Sequence, residues 1–229
     1  MSIEQIKTQI INNCRICGGT GYMPDEKPCV CLKEFRVWNR LLSGGFSEEV
    51  FIQGISDLDL IKDFRIKPEH QQYVQMFLSN LKESLRKGLS LYVYGNLGVG
   101  KTTFATLLAK KAIDVMINNE DDYVWWFNVK YVMERDLSSD LKLVNSDGEK
   151  IGLVVIDEFM GLDSTNLIIR KLIKNMVSIL LISNIEPNDL NNVWQSLLGY
   201  SNGNVDGPVF KGVNMQGLDI RRINSRGRW

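Results

Sequence analysis

The chain is predicted to be an α/β protein, a parallel sheet flanked by helices, with a small cysteine-bearing module ahead of it. Three observations predict this. Residues Gly95 to Thr102 read G-N-L-G-V-G-K-T and fit the phosphate-loop pattern G-x-x-x-x-G-K-[ST] at every fixed position. From about residue 61, apolar runs of strand length alternate with apolar residues at helical spacing. All four cysteines lie between residues 14 and 31.

The first predicted strand is Leu89–Tyr94, preceded by a helix that starts at Pro68 and carries Tyr73, Val74, Phe77, Leu78 and Leu81. It runs into the glycine-rich loop, and Thr103–Ile113 follows with helical periodicity. A strand–loop–helix junction of this kind offers an anion both backbone N–H groups and the positive end of a helix dipole. The glycines let the backbone curl round a polyphosphate, Lys101 reaches the outer phosphate oxygens, and the Thr102 hydroxyl suits Mg²⁺. Candidate nucleotide-binding residues are therefore Gly95, Asn96, Leu97, Gly98, Val99, Gly100, Lys101, Thr102 and Thr103.

Tyr123–Val129 is the second predicted strand, Ile151–Ile156 the third and Ile179–Ile182 the fourth. The third ends in Asp157 and Glu158, the Walker B arrangement. A parallel sheet places its ligands at the carboxyl ends of its strands. Asp157 is thus expected in the Mg²⁺ shell with Thr102, and Glu158 as general base on an attacking water, with Lys101 and Asn184 completing the catalytic set. Asn184 follows the fourth strand, where its amide can orient water against a terminal phosphate; Ser-Asn there also suits a turn.

At the N-terminus, Ile3, Ile6 and Ile10 mark a short amphipathic opening, and Leu32–Leu42 a connecting helix ending at Gly44-Gly45. Cys14-x-x-Cys17 and Cys29-x-Cys31 offer four thiolates across a loop rich in glycine and proline. Four thiolates satisfy tetrahedral Zn²⁺ as a closed structural site. Four free cysteines or an iron–sulfur site are the alternatives. So small a module suits docking onto a partner, with the metal supplying folding energy that a tiny core lacks. His70, remote from this cluster, is expected to be exposed.

Composition narrows the partners. Of 229 residues, 27 are basic and 27 acidic, so no global basic field advertises nucleic acid. Local basic candidates are Arg221, Arg222, Arg226 and Arg228 near the end of the chain, and Lys130, Arg135, Lys142 and Lys150 on a segment expected to begin as a helix. Trp125, Trp126 and Phe127 resemble a base-stacking platform, but their strand context favours the core. No apolar stretch reaches the roughly 20 residues that span a bilayer, and the opening residues lack the apolar region of a secretory signal. A cytoplasmic location without membrane contact is expected. The domains are read as 1–45, a zinc-binding and partner-docking region, and 46–229, the nucleotide-binding domain.

Phosphate loop, Val-Ile-Asp157-Glu158 and Ile-Ser-Asn184 together resemble the AAA+ ATPases, and more narrowly the DnaC/DnaI-type replicative helicase loaders and their relative IstB. Gly45-Phe46 to Leu58 is similar to the family's adenine-side segment. Tyr123–Met133 is similar to its second strand and following helix, and Val213–Arg221 to its closing strand. The cysteine pattern resembles the Cys-x-x-Cys-x-Gly-x-Gly unit of DnaJ-type zinc modules. The resemblance implies a five-stranded parallel sheet with helices on both faces and no full helical lid. It also implies ATP-driven self-association through the ATP sites, with a hexameric replicative helicase and single-stranded DNA as partners. Arg221 would be the arginine that touches the nucleotide phosphates from the same subunit. One departure stands out: Asn184 to Ile220 contains no arginine, where relatives carry the finger that serves a neighbour's ATP. Lys211 or Arg222 replaces it, an insertion around Gly199–Gly207 shifts it, or hydrolysis is weak. The alternative functions are an IstB-like transposition helper and an ATP-gated adaptor with little turnover.

Overall fold

A computed structural model describes residues 2–49, 59–117, 127–138, 141–144, 150–191, 194–195 and 210–217. Among these, five strands form one parallel sheet in the order β2-β3-β4-β1-β5. They are β1 Ser90–Gly95, β2 Asn128–Met133, β3 Ile151–Asp157, β4 Ser178–Ser183 and β5 Phe210–Met215. Central β1, β3 and β4 are almost wholly apolar because both faces of a parallel sheet are covered. Leu91, Val93, Leu153, Val155, Leu180 and Ile182 point into one buried layer. Their alternates Tyr92, Tyr94, Val154, Ile156, Ile179 and Leu181 point into the other.

Helices α3 Pro68–Ser79, α4 Leu81–Arg86 and α5 Lys101–Ile117 cover the first layer. α3 opens on proline, whose missing N–H costs nothing in a first turn, and breaks at Asn80. α6 Asp163–Lys174 covers the second layer with Ile168, Ile169 and Leu172. No described helix is long and apolar enough to cross a membrane.

At the N-terminus, α1 Ile3–Lys7 begins with a reciprocal cap between Ser2 and Gln5 and continues into a π-helical turn, Thr8–Asn12. α2 Val30–Ser43 follows the cysteine loop. Ile6, Val37, Trp38 and Leu41 are buried in the same cluster as the sheet residues Leu91 and Val93. The division expected at residue 45 is therefore no break in packing.

Two expectations are corrected. β2 is Asn128–Met133, so Lys130–Met133 is strand where a helix was expected. Val129 and Tyr131 alternate inward onto the first layer while Val132 packs on the second, a period of two rather than 3.6. Among the described strands β2 lies at the end of the order. Phe127 is buried, its ring so close to Gly152 that a Cβ there would overlap it, which agrees with a core role. Trp125 and Trp126 lie outside the described residues. His70 is half-buried rather than exposed: its Nδ1 accepts the amide of Asn214 at 2.9 Å.

Candidate functional site

β1 ends at Gly95, where φ is +147° and a Cβ would overlap the Met215 carbonyl of β5. Only glycine lets the loop leave the sheet this close to a neighbouring strand. The loop then turns straight into α5, whose first residue is Lys101. The Lys101 side chain is 7% exposed and folds back over its own loop. Its ammonium donates to the carbonyls of Gly95 at 2.8 Å and Asn96 at 2.6 Å, and to Asn184 Oδ1 at 2.8 Å. β4, adjacent to β1, delivers Asn184 to this point.

Thr102, next on α5, donates its hydroxyl to Asp157 Oδ2 at 2.8 Å. Asp157 closes β3 and is buried, with Oδ1 accepting the Glu158 amide at 2.7 Å. The Thr102 hydroxyl, the Tyr131 hydroxyl and the Glu158 amide that donate to this carboxylate are all neutral. A buried carboxylate beside a hydroxyl is an all-oxygen donor set suited to a hard cation, so the residues fit Mg²⁺. Residues expected at the nucleotide site, up to 83 positions apart in sequence, are thus in direct contact.

Glu158 sits at φ +53°, a left-handed conformation that costs a non-glycine residue of order 1 kcal/mol or more. The following residue holds it there. Phe159 is fully buried, donates its amide to the Ile182 carbonyl at 2.8 Å and accepts the Ser183 hydroxyl at 2.6 Å. This turns the Glu158 carboxylate out toward solvent, where it lies 3.6 Å from the Arg135 guanidinium.

Three residues at the end of β2 belong to this site although sequence reading missed their roles. Tyr131 donates to Asp157 Oδ2 at 2.8 Å. Burial, then the adjacent Asp157 carboxylate, pushes its phenol well above the ordinary tyrosine value, so it remains a donor. Glu134 is 3% exposed and accepts the amides of Met160 and Leu162, tying down the loop after Glu158. Arg135 pairs with Glu158 instead of standing free as a phosphate ligand. The signal that finds them is register: Met133 lies opposite Asp157.

Other candidates fall elsewhere. Lys211 is on the second residue of β5, opposite Leu91, with its ammonium 5.8 Å from the Tyr73 ring. That is the amino end of the sheet, away from the phosphate loop. Phe46 rests against Tyr131 with ring centroids 5.3 Å apart, placing this part of the segment beside β2. Arg221, Arg222, Arg226, Arg228, Ile55–Leu58 and Gly199–Gly207 lie outside the described residues.

The four thiols converge as a second candidate site. Their sulfurs all lie within 4.8 Å of one another, with Cys14–Cys29 at 3.8 Å and Cys17–Cys31 at 3.5 Å. Ligands about 2.3 Å from a tetrahedral Zn²⁺ are about 3.8 Å apart, so the cluster fits such an ion. The Gly21 amide points at Cys17 Sγ at 3.3 Å. Burial opposes ionisation of Cys17, but the amides of Gly21 and Gly19 and the neighbouring thiols Cys31 and Cys14 outweigh it and bring it down to about 6. Cys31 is driven the other way, by burial first and then by the crowding of the other thiols. Holding several thiolates together calls for a cation among them.

Fold and site together define an α/β protein with a phosphate loop at the carboxyl end of a five-stranded parallel sheet. No protein-family model matches the chain, and no curated protein matches it. Solved structures with a similar fold include DnaI (TM-score 0.47, 15% identity, covering 73% of this chain and 92% of that one). Others are a Streptococcus pyogenes serotype M3 protein provisionally described as a primosome component (0.43, 14%, 72% and 86%) and C. elegans PCH-2 (0.42, 16%, 67% and 45%).

Proposed function

We propose that the chain is an ATP-dependent loader of a hexameric replicative helicase. It binds ATP and Mg²⁺ at the phosphate loop, holds Zn²⁺ at Cys14, Cys17, Cys29 and Cys31, and docks its partner through residues 1–45. The observation that carries the reading is the link between these two sites through α2, which carries Cys31 and buries Val37, Trp38 and Leu41 against the sheet. A four-thiolate cluster, too small for chemistry of its own, sits on a helix buried against the nucleotide-binding sheet. The module also presents Ile16, Tyr22 and Val30 to solvent, at 61%, 49% and 63% exposure, as apolar anchors for a partner.

Lys101 and the loop amides would hold the polyphosphate, Thr102 and Asp157 the Mg²⁺, and the metal would neutralise charge that develops on the phosphates. Asn184 holds the Lys101 ammonium, and Glu158 would take the proton of an attacking water. Self-association is assigned to the ATP-site face, where Leu97, Met160, Leu162 and Leu167 are exposed. Single-stranded DNA is assigned to the open groove of about 710 Å³ along β2, whose lining includes Lys130 and Lys142.

A second reading is an ATP-gated adaptor with little turnover. Lys211 sits at the wrong end of the sheet to replace an arginine finger, and Glu158 rests on Arg135 rather than over the phosphate loop.

The test is capture of the hexameric helicase by the full chain, with and without ATP, against an Ile16→Ser/Val30→Ser variant. Capture by the wild type that the variant loses supports the loader. Equal capture by both, or by neither, overturns it.

A further inference from the structure

β2 has one hydrogen-bonded strand neighbour, β3, among the described residues. On its other flank the chain leaving α2 takes the place of a strand. The Tyr131 amide donates to the Gly44 carbonyl at 2.8 Å. The Arg40 guanidinium donates to the Phe127 carbonyl at 2.7 Å. A Cβ at Gly44 would overlap the Val129 carbonyl, so the helix end approaches as closely as glycine permits. Phe46 then lays its ring against that of Tyr131. The segment descending from the cysteine module thus meets β2 and the residue before it at alternate positions, 127, 129 and 131.

The last of these reaches the nucleotide site. The Tyr131 hydroxyl shares Asp157 Oδ2 with Thr102, both at 2.8 Å. Thr102 has its own work as a cation ligand. Tyr131 has none, and its ring is wedged by Phe46 at one side while its amide is fixed by Gly44. A carboxylate turns easily about its last bond unless each oxygen is held, and here the Glu158 amide holds one and Tyr131 steadies the other.

We propose that Tyr131 is a positioning residue of the Mg²⁺–nucleotide site, that it keeps the Asp157 carboxylate aimed, and that Gly44 and Phe46 set its place. The helix that carries the cysteine module and the carboxylate of the ATP site are then one mechanical unit. This rests on the nucleotide reading above.

The test measures ATP affinity in EDTA and across a Mg²⁺ titration for the wild type, Tyr131→Phe and Phe46→Ala. Wild-type binding is expected to strengthen with Mg²⁺. Tyr131→Phe is expected to match the wild type in EDTA yet to need about tenfold more Mg²⁺, the low end of the 10- to 100-fold loss that follows removal of a ligand's supporting hydrogen bond. Phe46→Ala, which leaves the hydroxyl in place, is expected to shift the same way by a smaller factor. It also serves if Tyr131→Phe does not fold. An unchanged Mg²⁺ requirement in both variants overturns the proposal, as does an equal loss in EDTA and in Mg²⁺, which a purely structural role would produce. Failure of the wild type to bind ATP under either condition overturns the nucleotide reading itself, and this one with it.

Discussion

The four thiols of the N-terminal module come from eighteen consecutive residues and share a small cluster with buried Ile11 and partly buried Ile10, Met23, Leu32 and Phe35. The nucleotide site draws Gly95–Thr102, Tyr131, Asp157 and Asn184 from four strand ends and stands between two extensive buried layers. The first site is local and has almost no core of its own. The second is assembled by tertiary packing, and its polar groups already hydrogen-bond to one another. On the reading proposed above, the first is expected to need its ligand to fold, and the second to be shaped before its ligand arrives.

Removal of the Zn²⁺ proposed for the four thiols tests this contrast hardest. In zinc-finger peptides the bound ion contributes about 10–16 kcal/mol of folding free energy, a large term for a cluster this small. Chelation, or Cys29→Ser, is expected to abolish hydrogen-exchange protection over residues 8–31 while β1, β3 and β4 keep theirs. Equal loss in the sheet would show that the two regions are not distinct in origin.

A smaller effect sharpens the account of the second site. Glu134 is buried and takes two amides of the loop after Glu158. Glu134→Ala leaves both amides without their charged acceptor and is expected to destabilise the fold by about 2–3 kcal/mol, read as a shift in denaturant midpoint. Glu134→Gln keeps one acceptor and should fall between the two.

The smallest effect concerns His70, whose burial holds its pKa below the ordinary 6.5. The unfolded chain therefore takes up this proton first as the pH falls. The stability it contributes is complete above about pH 6.5 and declines as the pH drops through that value toward the folded pKa. His70→Gln supplies an acceptor for Asn214 that does not titrate. The difference in melting temperature between the two proteins is expected to change between pH 7.5 and 6 in favour of the variant. A constant difference would show that His70 is as free to protonate in the folded chain as in the unfolded one.

The sheet flanked by helices was legible because β1, β3 and β4 are continuous apolar runs, a pattern that burial on both faces demands. β2 was not. Tyr131 and Val132 pack on opposite layers and Lys130 and Met133 are half-exposed, so the run shows neither a clean alternation nor a solid apolar block. A strand with one flank covered by a helix end produces that mixed signal. Its misreading hid Tyr131, Glu134 and Arg135 together, since all three meet the site only through the register of β2 on β3. His70 was hidden for a similar reason, because its partner lies 144 positions away.

By itself the sequence determined which residues carry a phosphate loop and which four thiols gather, because both chemistries need donors within a few bonds of one another. A loop that wraps phosphate with its own amides must be written in consecutive residues, and so must a cysteine knuckle. Only the tertiary structure decided what surrounds them. Thr102 meets Asp157, Lys101 meets Asn184 and Tyr131 meets Asp157 because β2, β3, β4 and β1 lie side by side in that order. That order is settled by how two apolar layers are buried at once, a property of all the strands and helices together and of no single segment.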